Sequence, residues 1–165
     1  MFEVVYYSRG GNTKKVAEAI ADELWTTAKN IQDVDTLPDD SFIFLGSGCY
    51  GSVLVKEIAD FIERNRLAGR KMALFTTSAF GWGKEFSIME KRILVKGVNI
   101  VGHFNCFGQL LSMKKGHPDA EELEEARKFA RTMVVQEYPQ LAELQPLAAA
   151  AVAAEQEAKF AVIGI

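Results

Sequence analysis

The chain alternates between runs of apolar residues and stretches in which apolar residues return every three or four positions. Val4-Val5-Tyr6-Tyr7, Ser41-Phe42-Ile43-Phe44-Leu45-Gly46 and Met72-Ala73-Leu74-Phe75-Thr76 are nearly continuous and rich in β-branched or aromatic side chains, as in strands buried on both faces of a parallel sheet. Val98 to Phe107 is a more broken run of the same kind. Between them lie helical periods: Val16, Ile20 and Leu24 with Ala17 and Ala21; Ile58, Phe61 and Ile62; Phe86, Met89, Ile93 and Leu94; Leu123, Ala126, Phe129, Ala130 and Met133. The first helix is expected to end near Thr27 or Ala28, the second near Leu67 to Gly69, and the third at Gly97. Asp119, with Glu122 three residues on, forms an Asp version of the capping box that opens the fourth. Asn30 to Asp35 alternates weakly and reads as a short edge strand.

Strand and helix in alternation predict an α/β domain with a parallel five-stranded sheet, doubly wound in the order 2-1-3-4-5, with helices on both faces. In such a sheet ligands bind beyond the carboxyl ends of the strands at the switch point, so the loops after the first, third and fourth strands should converge. With Gly46, which leads into the second of them, these loops hold seven of the chain's 13 glycines (Gly10, Gly11, Gly46, Gly48, Gly51, Gly81 and Gly83), together with Tyr50, Phe80 and Trp82. A glycine-rich rim bearing aromatic rings suits a flat, phosphorylated aromatic ligand. The first loop, Ser8-Arg9-Gly10-Gly11-Asn12-Thr13, sets two glycines and three short polar side chains at a helix start, where the first amides lack intrahelical acceptors. It reads as an anion site, or as a plain strand-to-helix turn with Thr13 as N-cap. Neither G-x-x-x-x-G-K-[ST] nor G-x-G-x-x-G is present.

Composition narrows the classes. A net charge of −3 and a charged content of 25% leave no basic footprint, which argues against a nucleic-acid partner. The longest apolar run, Leu147 to Ala154, falls far short of the ~18 residues that span a bilayer, so no membrane partner and a cytoplasmic location are expected. Cys49 and Cys106 fall on strands separated by a third, about 9 to 10 Å apart or more, beyond disulfide reach. His103 and His117 show no carboxylate at ligand spacing, and no metal site is expected.

Ser8-x-x-Gly11-Asn12-Thr13 after a first strand resembles the FMN phosphate loop of the flavodoxins, with Ser8, Gly11 and Thr13 matching and Gly10 standing where the family has a second hydroxyl residue. Ser47-Gly48-Cys49-Tyr50-Gly51 resembles the family's second flavin loop, and Thr77-Ser78-Ala79-Phe80-Gly81-Trp82-Gly83 its third. The likeness covers about Phe2 to Gln136. It implies that Ser8 to Thr13 hold the FMN phosphate, and that Tyr50 and one of Phe80 or Trp82 flank the isoalloxazine. Few cations near the ring would disfavour its anionic reduced form. Gly48 or Gly51 would allow a peptide to reorient beside the ring.

The function implied is an FMN-binding electron carrier shuttling between partner oxidoreductases, with no catalytic residue of its own because the cofactor performs the chemistry. An FMN-dependent NAD(P)H:quinone reductase and a flavin-free interaction domain are the alternatives. The domain is read as residues 1–138. Residues 139–165 are read as an extension, a helix and an apolar tail, that could mediate a homodimer.

Overall fold

The structure is a computed structural model that describes residues 1–51, 54–79, 84–109 and 114–141. Five strands, β1 (Phe2–Tyr7), β2 (Ala28–Asn30), β3 (Phe42–Gly48), β4 (Lys71–Ser78) and β5 (Asn99–Phe107), form one sheet in the order β2-β1-β3-β4-β5, every pair parallel. Between and after them come α1 (Asn12–Glu23), α2 (Lys56–Arg64), α3 (Lys84–Val95) and α4 (Ala120–Glu137). The expected doubly wound order is the one found. Met1–Arg131 form one compact unit and Thr132–Ile165 a second. Within the second, α4 finishes and Pro139–Leu141 make a 3₁₀ turn. The expected helix and apolar tail beyond it lie outside the described residues.

Alternation along the strands divides the core. Val5, Tyr7, Ile43, Leu45, Met72 and Leu74 face one way and cluster with Ile58, Phe61 and Ile62 of α2 and Phe86, Met89 and Ile93 of α3. On the other face the Phe129 ring of α4 meets Phe44 edge-on and stacks on Phe104. Thr77, which shares the parity of Phe75, bonds to Thr13 at the start of α1, so α1 lies on that second face. Gly46 pairs with Phe75 across β3 and β4, and the ring lies over it: a Cβ at position 46 would stand 2.1 Å from Phe75 Cε2.

Several boundaries differ from the sequence reading. α1 stops at Glu23, because Trp25 takes a left-handed φ of 56° and the Thr26 N–H turns back to the Ala21 carbonyl. β2 therefore starts earlier than expected, pairing Ala28–Asn30 with Val4–Tyr6. Ile31–Asp33 are a 3₁₀ turn rather than strand, since the Asn30 side chain accepts from the Gln32 N–H and favours the turn over extended pairing. α2 ends at Arg64, where Asn65 becomes extended, donates to the Phe61 carbonyl and accepts from the Leu37 N–H. Leu94, expected in the buried face of α3, is half exposed beside the exposed Val95, while Gly97 ends that helix region with a φ of 75°. The capping box is present in both directions, Asp119 N–H to Glu122 Oε2 at 2.9 Å and Glu122 N–H to Asp119 Oδ1 at 3.0 Å.

The Gly46–Phe75 packing is testable. Gly46→Ala drives a methyl into a ring with no space to retreat, and should destabilise the fold by about 1–3 kcal/mol, read as a lower urea midpoint at unchanged slope.

Candidate functional site

β3 and β4 each run two residues further than the sequence suggested, so Ser47, Gly48, Thr77 and Ser78 are strand residues, all buried. Their carboxyl ends, and that of β1, therefore reach the same rim. The loops that follow are cross-linked there. Thr13 Oγ1 and Thr77 Oγ1 are 2.9 Å apart and buried. The Cys49 N–H donates to the Thr77 carbonyl at 3.1 Å. The Arg9 N–H donates to the Tyr50 hydroxyl at 2.9 Å. Phe80, Gly81, Trp82 and Gly83 lie outside the described residues. Ala79, half-buried, is the last described residue of the third loop.

A fourth loop joins the rim. Asn12 Nδ2 donates to the Gln109 carbonyl at 2.8 Å, and Gly108 packs so closely that a Cβ there would lie 3.1 Å from Asn12 Nδ2 and 3.2 Å from Thr77 Cβ. The Gly108 N–H also donates to the Ser78 carbonyl. The convergent loops read from the sequence do not include Gly108. Its one signal was a glycine directly after a strand that ends on the same rim as the other loops.

At the first loop the helix begins two residues earlier than a Thr13 cap requires. Gly11 occupies the N-cap position with a left-handed φ of 81°, and no side chain caps the helix. Thr13 is therefore not the N-cap, and its hydroxyl is turned to Thr77. Asn12 does not aim its amide at the loop interior, because Gln109 holds it. A side chain added at Gly11 would meet nothing within 4 Å, and at Gly10 only Asn12 Nδ2 at 4.0 Å, so both glycines border open space. Ser8 is partly exposed at the end of β1.

Tyr50 folds over Gly48, where a Cβ would stand 2.7 Å from the hydroxyl. Arg9 lies on it, with the guanidinium carbon 4.7 Å from the ring centroid, and Tyr7 meets it edge-on at 6.0 Å. Arg9 Nε donates to the Tyr7 hydroxyl, which donates in turn to Glu57 Oε1 at 2.6 Å. That bond holds the Glu57 carboxyl below its ordinary range, and the bond to Tyr7 raises Arg9. Burial raises the Tyr50 phenol, so it stays neutral at pH 7. One cation, Arg9, thus stands at the rim. Gly51 follows with a left-handed φ of 79°.

The histidines also differ from the sequence picture. Carboxylates do reach His117: its Nδ1 is 2.7 Å from Glu122 Oε2 and 3.7 Å from Asp119 Oδ2. Glu122 is already engaged, taking the Asp119 N–H on Oε2 and the Phe107 N–H on Oε1. The trio therefore reads as the capping of α4 extended by one imidazole. Both cysteines are free thiols, and burial, then the nearby Glu122 and Asp119, push Cys106 up to about 12.

The family profile of the flavodoxin domain matches residues 3–115. An uncharacterized protein of Methanocaldococcus jannaschii is 30% identical over 135 residues, covering 74% of this chain and 90% of that one. A flavodoxin of Clostridium beijerinckii is 33% identical over 110 residues, covering 60% of this chain and 80% of its own. Among solved structures, oxidised flavodoxin 2 of Bacillus cereus shares the fold with a TM-score of 0.64 at 23% identity, over 82% of this chain and 98% of that one.

The thiols should separate by reactivity. Alkylation needs thiolate, so a Cys106 raised to about 12 should react on the order of a thousandfold more slowly than an unperturbed thiol near neutral pH. Timed iodoacetamide labelling at pH 8 should modify Cys49 first. Cys106 should gain about tenfold in rate for each pH unit, since its thiolate fraction rises as pH approaches its raised value.

Proposed function

The chain belongs to the flavodoxin family, and from that premise we propose that it binds FMN at the rim formed by the loops after β1, β3 and β4 and carries electrons between partner oxidoreductases. The observation that carries this reading is the start of α1, a helix N-terminus with glycine at its cap and no capping side chain. The first four amides of a helix have no intrahelical acceptor, and the helix dipole adds about half a positive charge there. A phosphate supplies both the acceptors and the negative charge. Gly10 and Gly11 leave room for its approach, which a side chain would restrict. Gly10 provides no hydroxyl, so at that position the backbone amide alone serves the phosphate.

Thr13 fits the same role without leaving Thr77. A hydroxyl donates one hydrogen and accepts two, so Thr13 can accept from Thr77 and donate to a phosphate oxygen. Ser8 adds a second hydroxyl at the strand end. Tyr50 offers the aromatic surface beside the rim. Gly48 permits the close approach of that ring, and Cys49 anchors its loop to β4 through the Thr77 carbonyl. When bound, the flavin supplies one- and two-electron chemistry, and the protein supplies position and electrostatics. Redox partners of protein type follow from this reading, because electrons must enter and leave at the exposed rim.

Titration of the full chain with FMN should quench flavin fluorescence to a one-to-one endpoint. Thr13→Ala removes one hydrogen bond to a charged group, about 1.5–3 kcal/mol, and should weaken FMN by roughly tenfold to a hundredfold. Unchanged affinity would assign Thr13 to packing against Thr77 alone.

A further inference from the structure

Three contacts fix Tyr50. Its hydroxyl accepts the Arg9 N–H, its phenol end fills the space above Gly48, and its ring meets both the Arg9 guanidinium and the Tyr7 ring. The first of these is the telling one. Arg9 is the second residue of the loop Ser8 to Thr13, which resembles the FMN phosphate loop, and its amide stands among that loop's donors for an anionic ligand. A side-chain oxygen already sits on it.

We infer that Tyr50 is an internal competitor for the phosphate subsite: its hydroxyl stands on the Arg9 amide in place of a phosphate oxygen, and a ligand phosphate must displace it. This inference rests on the reading of Ser8 to Thr13 as a phosphate loop. The exchange is chemically asymmetric. A neutral phenol oxygen makes an ordinary hydrogen bond, whereas a phosphate oxygen makes a charge-assisted one of roughly twice the strength. Phosphate therefore wins, but its apparent affinity is reduced by the fraction of molecules in which Tyr50 occupies the amide. The movement required is local. Cys49 is held by the Thr77 carbonyl, so release begins at Tyr50, and Gly51, already left-handed, follows directly. Once displaced, the Tyr50 ring is free to lie against the ligand's aromatic system. The residue that covers the loop without ligand becomes part of the wall with it.

The inference reverses the usual expectation for a binding-site hydroxyl, since removing it should tighten binding. The full chain, freed of flavin, is titrated with inorganic phosphate while the Arg9 backbone amide is followed by proton–nitrogen NMR, and separately with FMN by fluorescence quenching. Tyr50→Phe keeps the ring and loses only the hydroxyl, and should bind phosphate about two- to tenfold more tightly than the native chain, with FMN tightened in the same direction. Tyr50→Ala should keep the gain for phosphate and lose affinity for FMN, because the ring is gone. Absence of phosphate binding by all three chains, or an affinity unchanged or weakened in both variants, overturns the inference. A chain that shows the phosphate gain but takes no FMN upholds the competition and overturns the flavin reading instead.

Discussion

The rim depends on one buried contact, the pair of hydroxyls on Thr13 and Thr77. Thr13 lies in the first turn of α1 and Thr77 one residue from the end of β4, so the bond ties the helix that follows β1 to a strand on the far side of β3. Each hydroxyl would cost about 1–3 kcal/mol if buried alone, so each holds the other in place. Because β1, β3 and β4 are parallel and in continuous register at this end, fixing the helix start against β4 also fixes the glycine loop that precedes it. The amides of that loop are therefore presented by the sheet, and not by the loop's own sequence.

Much of this was legible in the chain. Strands buried on both faces leave unbroken apolar runs, helices covering them leave one stripe, and their alternation admits few topologies, which is why the strand order could be read directly. Element ends were less legible. The Trp25 turn and the Asn30 side-chain bond are settled by single hydrogen bonds that a periodicity cannot weigh. Gly108 and Gln109 were missed because they reach Asn12 across 97 positions, a contact that exists only once β5 is placed beside β4. Tyr50 was read as a ring, and its hydroxyl was not considered.

The candidate site shows the same division between what residue type announces and what placement decides. Glycines announced that backbone would be exposed at the rim. That Gly48 serves to admit a tyrosine, and Gly46 a phenylalanine ring, follows only from what stands opposite them. Likewise Asp119 and Glu122 announced a helix start, but Glu122 also draws in His117 and secures the Phe107 amide.

That last bond bears on how the molecule meets its own kind. β5 is an outer strand, and outer strands offer free amides and carbonyls on which a second sheet can build. Here the ladder with β4 skips Val101, an irregularity that twists the strand, and farther along a carboxylate occupies the Phe107 N–H. An incoming strand would find the spacing broken at one end and a negative charge seated at the other, so runaway sheet extension from this border is discouraged by the fold itself.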